Sequence, residues 1–378
     1  MWAALALAGA LAAAVRTRKR KASGEMGVRA LLVYPVKGCK GIQAERCAIT
    51  ARGLAYDRAF VVVYDDPNSK LKNGKFVSQR GCPQLARVHV RIPERELLLE
   101  KAPGAVMELS YKAEDGGGKE TTRTLEVPLA ANTSGRLITA KVWGTEVEGH
   151  DCGDAAAEFF SHVCAAKVRL LRFPDDGGVR HCDPKYVMEP SGNGAVVGHT
   201  AGAFCDGFPL LACLGESIAR MSKAMCRPYA EVLERFRPNV VFEGGYGAYA
   251  DDGFAAVQCP LRCTPPSGGD ETIRFLYAKP CARCTVPLVH PGTGKQEPGV
   301  GGVSAWDALK AERRRGAHIV PDAPASTRND LFWGWNCYVS VPLAVDASSP
   351  SWWGFKLGEL VVGDRARVVG RRRFRTPL

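Results

Sequence analysis

Val28-Arg29-Ala30-Leu31-Leu32-Val33-Tyr34-Pro35 is the first long apolar run after the N-terminal segment, and it indicates the fold class. Val and Leu dominate the run and Pro35 ends it, which is typical of a buried β-strand. Ala59–Tyr64, Thr272–Tyr277 and Leu360–Val369 are further candidate strands. Because only a few helices are predicted and strands do not alternate regularly with them, we predict an α+β fold with a barrel-like sheet.

The predicted helices lie in the second half of the chain. Asp154 is a candidate N-cap for a helix over Ala155–Ala166. Further helices are predicted over Leu210–Met225, Tyr229–Phe236 and Ala305–Arg314.

Size and charge limit the classes of function. The chain has 378 residues, enough for two hydrophobic cores, and its 46% hydrophobic and 24% charged residues are typical of a soluble globular protein. The formal net charge is +12, but nine basic residues lie near the termini: Arg16, Arg18, Lys19, Arg20, Lys21, Arg371, Arg372, Arg373 and Arg375. The remainder carries only about +3, so we expect no nucleic-acid partner.

The N-terminal segment, residues 1–26, differs in composition from the rest. Met1–Val15 is rich in Ala, Leu and Gly, and Arg16–Lys21 is strongly basic. An apolar stretch followed by positive charge predicts a short membrane anchor with its basic flank in the cytosol. An organelle-targeting segment is the alternative.

The pair Cys281-Ala282-Arg283-Cys284 is the most suggestive spacing among the 14 cysteines. With Cys259 and Cys263 it approaches a zinc-ribbon pattern. A redox dithiol would need a helix after the pair, but Thr285–Val289 is predicted as a strand. The third possibility is a softer metal held through one sulfur.

Three segments could bind an anion. In Arg237-Pro238-Asn239 a guanidinium stands beside a rigid proline, and in Tyr34–Lys40 a lysine follows a strand directly. Gly53–Arg58 adds an Asp-Arg pair at a strand entry. Each segment alone is equally consistent with a surface or structural ion pair.

Together, these motifs resemble those of proteins that carry a MOSC (molybdenum cofactor sulfurase C-terminal) domain. Tyr34-Pro35-Val36-Lys37, Gly53–Arg58 and Phe76-Val77-Ser78-Gln79-Arg80 are similar to the N-terminal domain of that family. Four further segments resemble the MOSC domain itself: Asp206 with Pro209-Leu210, Phe236–Asn239, Cys281–Cys284 and Gly358–Asp364. The resemblance covers about Val28–Val369. It implies a β-rich N-terminal domain over residues 27–150 and a MOSC β-barrel domain with flanking helices over 151–378.

The resemblance also implies roles for individual residues. Cys284 would be the protein ligand to molybdenum and a catalytic residue, with Asp206 a second catalytic candidate. Lys37, Arg58, Arg237 and Asn239 would bind the molybdenum cofactor (molybdopterin), together with Cys284. Cys281 has no implied role. The family often has hydroxyl residues at the positions of Gly38 and Gly207, so backbone N–H groups would replace them here.

The implied activity is the reduction of N-hydroxylated compounds, such as amidoximes, hydroxylamines and N-hydroxy bases, to the parent amine or amidine and water. Cytochrome b5 and its NADH-dependent reductase are the implied electron donors, and the implied location is the mitochondrial outer membrane, facing the cytosol. A monomer is expected. The alternatives are a cofactor carrier related to molybdenum cofactor sulfurase and a zinc-ribbon interaction module, with a cytosolic location or another organelle membrane.

Overall fold

The computed structural model describes residues 26–68, 73–100, 102–114, 120–131, 133, 135–175, 180–187, 201–262, 272–297, 303–313, 330–340 and 356–371. These residues form an α+β fold, which confirms the predicted fold class. No helix among them is long and apolar enough to cross a membrane. The predicted N-terminal anchor and Cys263 of the zinc alternative lie outside the described residues.

Strands make up most of the regular structure in the described residues. In chain order they are β1 (Met26–Val33), β2 (Ile42–Ala44), β3 (Arg46–Thr50), β4 (Gly53–Leu54), β5 (Phe60–Tyr64), β6 (His89–Arg91), β7 (Val106–Glu114), β8 (Glu120–Pro128), β9 (Leu137–Val142), β10 (Thr145–Asp151), β11 (Val168–Arg172), β12 (Arg180–His181), β13 (Ala201–Gly202), β14 (Leu210–Leu214), β15 (Val240–Glu243), β16 (Ala256–Pro260), β17 (Thr272–Ala282), β18 (Phe332–Ser340), β19 (Lys356–Val361) and β20 (Arg365–Val368).

Seven strands close into a barrel in the order β15-β14-β18-β17-β16-β20-β1, and β1 pairs with β15 to complete the ring. All neighbours are antiparallel except β14 and β15, which are parallel. Closure satisfies the backbone groups that an open sheet would leave at its two edges. The barrel therefore confirms the predicted barrel-like sheet.

Strand β1 changes face midway through a bulge. Its pairing with β15 shifts register between Val28 and Ala30. Before the bulge Met26 and Val28 lie in the main hydrophobic core, and after it Leu31 and Val33 do so. Ala30 and Leu32 instead join a second core, which the helices cover. One extra residue reverses the alternation of a strand, so β1 is buried on both faces and reads as a continuous apolar run.

The other sheets join early and late parts of the chain. Strands β5, β11, β10 and β9 form one sheet, and β6, β7 and β8 form another. Strand β19 pairs with β3, although more than 300 residues separate them in sequence. Strand β1 lies in the barrel with strands from beyond residue 200. The domain boundary near residue 150 stays a prediction, and strand pairing crosses it.

The helices in the described residues are α1 (Glu94–Leu97), α2 (Asp154–Cys164), α3 (Gly215–Met225), α4 (Tyr229–Phe236) and α5 (Ala305–Arg313), with 3₁₀ turns over Pro83–Arg87, Pro184–Tyr186, Ala250–Gly253 and Val286–Leu288. Helix α4 has its predicted bounds, and α5 agrees up to Arg313. The helix predicted from Leu210 is wrong over its first five residues. These form β14, whose side chains are all buried between β15 and β18.

Two local predictions are also wrong. Gly153 is the N-cap of α2, and Asp154 is the first helical residue and pairs with Arg169 at 2.7 Å. The strand predicted over Thr285–Val289 is a 3₁₀ turn, with Pro287 inside it. Pro287 has no N–H to donate to a β-ladder, so this apolar run does not continue the sheet.

Candidate functional site

Two arginines meet on the ring of Tyr34, directly after β1. The guanidinium carbon of Arg58 lies 4.5 Å from the ring centroid, and that of Arg237 lies 4.1 Å from it. Both residues have positive φ, 49° and 56°. Arg237 caps α4 in the left-handed conformation. Helix α4 ends there because Pro238 disfavours a helical residue before it. Segments distant in sequence thus bring two like charges to one tyrosine ring.

Only one of the two arginines has a carboxylate partner. Arg58 donates to Asp57 at 2.5 Å, whereas Arg237 donates to the backbone oxygen of Cys39 at 2.8 Å and has no carboxylate partner among the described residues. Burial lowers the pKa of Arg237, and the nearby Arg58 lowers it further. An anion placed here would relieve the repulsion between the two cations. This pair of arginines is therefore suited to a phosphate group.

Asn239 holds Arg58 in place through a hydrogen bond. It is buried, and its Oδ1 accepts hydrogen bonds from Arg58 at 2.9 Å and from the N–H of Leu211 at 3.1 Å. Its Nδ2 donates to Asp57 at 2.9 Å and to the backbone oxygen of Leu32 at 3.1 Å. These contacts within the protein make Asn239 a positioning residue for Arg58. Its predicted contact with a cofactor stays a prediction.

Lys37 and Asp206 form an ion pair on another side of the site. Lys37 Nζ lies 2.5 Å from Asp206 Oδ1, and the same oxygen accepts a hydrogen bond from Trp143 Nε1 at 2.8 Å. Desolvation raises the pKa of Asp206, but Lys37 and Trp143 lower it by more, so the pKa lies below its usual range. Because the Asp206 side chain is 72% exposed, the pair should stabilise the fold only slightly.

The loop that carries Asp206 is fastened by a buried arginine. Arg180 donates hydrogen bonds to the backbone oxygens of Ala203, Cys205 and Asp206. Three carbonyl acceptors on one guanidinium fix the path of the loop. Asp206 is thereby presented to Lys37 by a rigid backbone.

The two cysteines of the C-x-x-C pair differ in their surroundings. Cys281 lies at the end of β17, where the register with β18 shifts between Pro280 and Ala282, and its sulfur accepts a hydrogen bond from Arg283 at 3.4 Å. Cys284 lies two residues beyond the strand and makes no hydrogen bond to a described residue. Both thiols are free and partly buried. Cys284 is the one left available as a ligand.

All the predicted site residues line one cavity of about 470 Å³: Lys37, Arg58, Asp206, Arg237, Asn239 and Cys284. Cys281 lines it too. Cys259 does not line it and is buried in the main hydrophobic core. No group of three or more His, Cys, Asp or Glu residues able to hold a metal occurs within the described ranges. The described residues therefore give no support to the zinc alternative.

Arg283 has a buried hydrogen-bond donor without a partner in the described residues, which bears on whether the cavity suits an anionic cofactor. Its Nη2 donates to the backbone oxygen of Phe236 at 2.9 Å. Its Nε is buried and has no acceptor within the described part of the chain. A buried donor without a partner costs about 1–3 kcal/mol, which a ligand acceptor would recover. Together with the arginine pair and the free thiol, this donor fits a cofactor that combines phosphate and a soft metal.

The family often has hydroxyl residues at the positions of Gly38 and Gly207. These two positions differ in whether they have room for a side chain. Gly38 has a φ of +91°, and a Cβ there would lie 3.0 Å from Leu85 Cδ1. A serine at position 38 would be strained in this backbone. Gly207 has no atom within 4 Å of an added Cβ. The departure at Gly38 is thus required by the local backbone, whereas that at Gly207 is not.

Several residues that line the cavity were not predicted as site residues: Phe76, Arg80, Trp143, Phe208, Lys279 and Arg283. Phe76 and Arg80 belong to a quoted motif, and Arg283 lies between the two cysteines. These positions could have been found by extending each motif to its neighbours. Trp143 lies in the β9–β10 hairpin, far from any motif, and only the fold brings it to the cavity.

Comparisons with known proteins found relatives that cover most of the chain. Residues 25–167 match the family described as MOSC N-terminal beta barrel domain. Mitochondrial amidoxime-reducing component 1 of Mus musculus is 27% identical over 299 residues, which cover 77% of this chain and 74% of that protein. Mitochondrial amidoxime reducing component 2 of Homo sapiens is 26% identical, covering 78% of each chain. Molybdenum cofactor sulfurase of Drosophila melanogaster is 25% identical over 79% of this chain, but only 32% of the sulfurase is covered. The chain is therefore similar to MOSC-domain proteins over most of its length, which confirms the resemblance that its motifs predict.

Proposed function

We propose that the protein is a molybdenum cofactor-dependent oxidoreductase that reduces N-hydroxylated compounds to the parent amine or amidine and water. The observation that carries this proposal is the meeting, in one cavity, of the free thiol of Cys284 with Lys37, Arg58 and Arg237. Relatives named for amidoxime reduction and for the molybdenum cofactor support the same class of activity.

Each predicted residue has a role in this proposal. Cys284 would bind molybdenum as a thiolate, a soft ligand suited to that metal. Arg58 and Arg237 would hold the cofactor phosphate through charge-assisted hydrogen bonds, with Lys37 as a third cation. When bound, the cofactor would supply the two electrons that, with two protons, break the N–O bond and release water. The chain itself would bind, orient and enclose the reacting groups.

Asp206 would act through the groups it holds. Because its pKa lies below the usual range, its carboxylate stays ionised at neutral pH and cannot donate a proton. It accepts hydrogen bonds from Lys37 and Trp143, which fixes both at the cavity. We therefore assign Asp206 as a positioning residue and as an acceptor, not a donor, in any proton relay.

The electron donors would be separate proteins. The sequence contains no G-x-G-x-x-G fingerprint for a nucleotide between a strand and a helix. We propose cytochrome b5 and its NADH-dependent reductase as donors, because a basic enzyme attracts an acidic haem protein. The names of the amidoxime-reducing relatives support a mitochondrial location, and we propose the outer membrane, with the N-terminal segment as its anchor.

Turnover of benzamidoxime tests the proposed activity. Purified protein loaded with molybdenum cofactor, supplied with NADH, cytochrome b5 and the reductase, is expected to form benzamidine. The product is measured by chromatography, and omission of cytochrome b5 is the control. Loaded protein that forms no benzamidine would contradict the reductase. It would favour the second candidate, a cofactor carrier, which the match to molybdenum cofactor sulfurase supports.

Replacing Arg237 by alanine is expected to weaken cofactor retention about 10-fold or more, since a hydrogen bond to a charged group contributes about 1.5–3 kcal/mol. Retention is measured as molybdenum content after gel filtration. Arg220→Ala removes an exposed arginine paired with Glu312 and should retain the cofactor normally. If Arg237→Ala aggregates yet binds the cofactor as tightly as wild type, Arg237 is a structural arginine.

A further inference from the structure

The cavity is lined by more cations than carboxylates. Among the described residues that line the cavity there are six cations, Lys37, Arg58, Arg80, Arg237, Lys279 and Arg283, and one carboxylate, Asp206. Asp57 pairs with Arg58, and Asp206 pairs with Lys37. The other four cations have no carboxylate partner among the described residues.

The two cations without a carboxylate or hydrogen-bonding partner in the described ranges are Arg80 and Lys279, and both lie against aromatic rings. The guanidinium carbon of Arg80 is 5.0 Å from the ring centroid of Trp143. Lys279 Nζ is 4.6 Å from the ring centroid of Tyr186 and 5.9 Å from that of Phe208. Stacking on an aromatic ring holds a cation in place while its donors stay open to a ligand.

Trp143 provides an exposed aromatic surface at the cavity. It lies at the turn between β9 and β10 with a φ of 55°, which is unusual for a bulky residue. Trp143 is the first residue of a two-residue hairpin turn, and such turns require a positive φ at that position. Its side chain is 53% exposed, although the indole is held by Asp206 at 2.8 Å and by Phe76, with ring centroids 5.5 Å apart. A flat aromatic surface is thus fixed at the mouth of the cavity.

A register shift in β17 determines the direction of the Lys279 side chain. The register between β17 and β18 shifts between Tyr277 and Lys279. Bulges re-aim side chains and are frequent beside active sites. Tyr277 stays in the main core, and Lys279 lines the cavity on the Phe208 side. The mouth therefore has an aromatic surface with a cation on each of two sides.

We propose that Arg80 with Trp143, and Lys279 with Phe208, make the mouth of the cavity select planar substrates that carry a negatively charged group, such as aromatic amidoximes with a carboxylate. The planar ring would lie against the indole of Trp143, and the carboxylate would accept hydrogen bonds from Arg80 or Lys279. This selectivity rests on the proposed function, since it names the substrate class of the same site.

A matched pair of substrates tests the selectivity. We expect the ratio of kcat/KM for 4-carboxybenzamidoxime to that for benzamidoxime to exceed unity in the wild type. The ratio should fall about 2- to 5-fold in Arg80→Gln and in Lys279→Gln, because exposed charge pairs contribute about 0.5–1 kcal/mol. It should also fall as salt is added. Arg91→Gln, which removes an exposed arginine that does not line the cavity, should leave the ratio unchanged.

A binding measurement separates failure of this proposal from failure of the proposed function. Calorimetry compares 4-amidinobenzoate with benzamidine on the loaded protein, so no turnover is needed. Tighter binding of the carboxylated compound, lost in the double Arg80→Gln, Lys279→Gln variant, supports the charged mouth even if neither amidoxime is reduced. Equal affinities, or a preference that survives the double substitution, would overturn it. The proposal would also be overturned if the double variant had a raised KM for cytochrome b5 and an unchanged ratio of kcat/KM for the two substrates. The two cations would then bind the electron donor and not the substrate.

Discussion

The Cys284→Ala variant is expected to lose most of its molybdenum and more than about 100-fold of its benzamidoxime turnover. Loss of a direct metal ligand should exceed the 10- to 100-fold effects that changes around a metal site commonly produce. The fold should survive, because Cys284 is partly buried, lies outside β17 and makes no hydrogen bond to a described residue. Turnover and molybdenum content are measured on the same preparation, with the circular dichroism spectrum as a check of folding.

Cys281→Ala is the matched control, since it removes the other thiol of the same pair. Cys281 accepts a long hydrogen bond from Arg283, so its loss should cost little molybdenum. A Cys281→Ala protein as depleted of molybdenum as Cys284→Ala would show that both sulfurs hold the metal. Full molybdenum in Cys284→Ala would show that this thiol is not the ligand.

Asp57→Asn is expected to lower the free energy of unfolding by about 3–5 kcal/mol, the usual cost of removing one partner of a buried ion pair. The Asp57 side chain is 1% exposed and accepts hydrogen bonds from Arg58, Asn239 and the N–H of Tyr34. An amide in its place carries no charge, and its NH₂ group replaces one of the two acceptor oxygens. Arg58 would then be left as a cation without a counter-charge. Urea unfolding followed by tryptophan fluorescence measures the change.

Glu108→Gln is the control for Asp57→Asn, because it breaks an ion pair with Arg91 that lies at the surface. Its effect should stay below about 1 kcal/mol. If Asp57→Asn shifts the urea midpoint no more than Glu108→Gln, the Asp57–Arg58 pair does not stabilise the site. Solvation of the Arg58 guanidinium by water would then replace the ion pair.

Much of the site could be predicted from sequence because its parts are short and adjacent to the ends of strands and helices. Lys37 follows β1 by a few residues, and Arg237 follows α4 directly, where Pro238 must end the helix. A strand or helix end that leads into a loop is the usual place for a binding residue. Motif order and spacing then indicated that these ends belong to one site.

The rest depended on contacts that local sequence does not carry. Leu210–Leu214 resembles the first turn of a helix, and only burial between β15 and β18 makes it a strand. The bulge in β1 reverses which side chains face the barrel, and no residue in the run marks it. Trp143 reaches the cavity because the β9–β10 hairpin folds over Phe76. Long-range strand pairing thus determined the secondary structure of Leu210–Leu214, the facing of the β1 side chains and the position of Trp143, which periodicity and motifs did not predict.

The metal content of the purified 378-residue chain distinguishes a molybdenum site at Cys284 from a zinc site. The protein, expressed in cells that make molybdenum cofactor, is analysed by inductively coupled plasma mass spectrometry. We expect about one molybdenum atom per chain, retained in Cys259→Ala and lost in Cys284→Ala. Stoichiometric zinc without molybdenum, lost in Cys259→Ala, would contradict it.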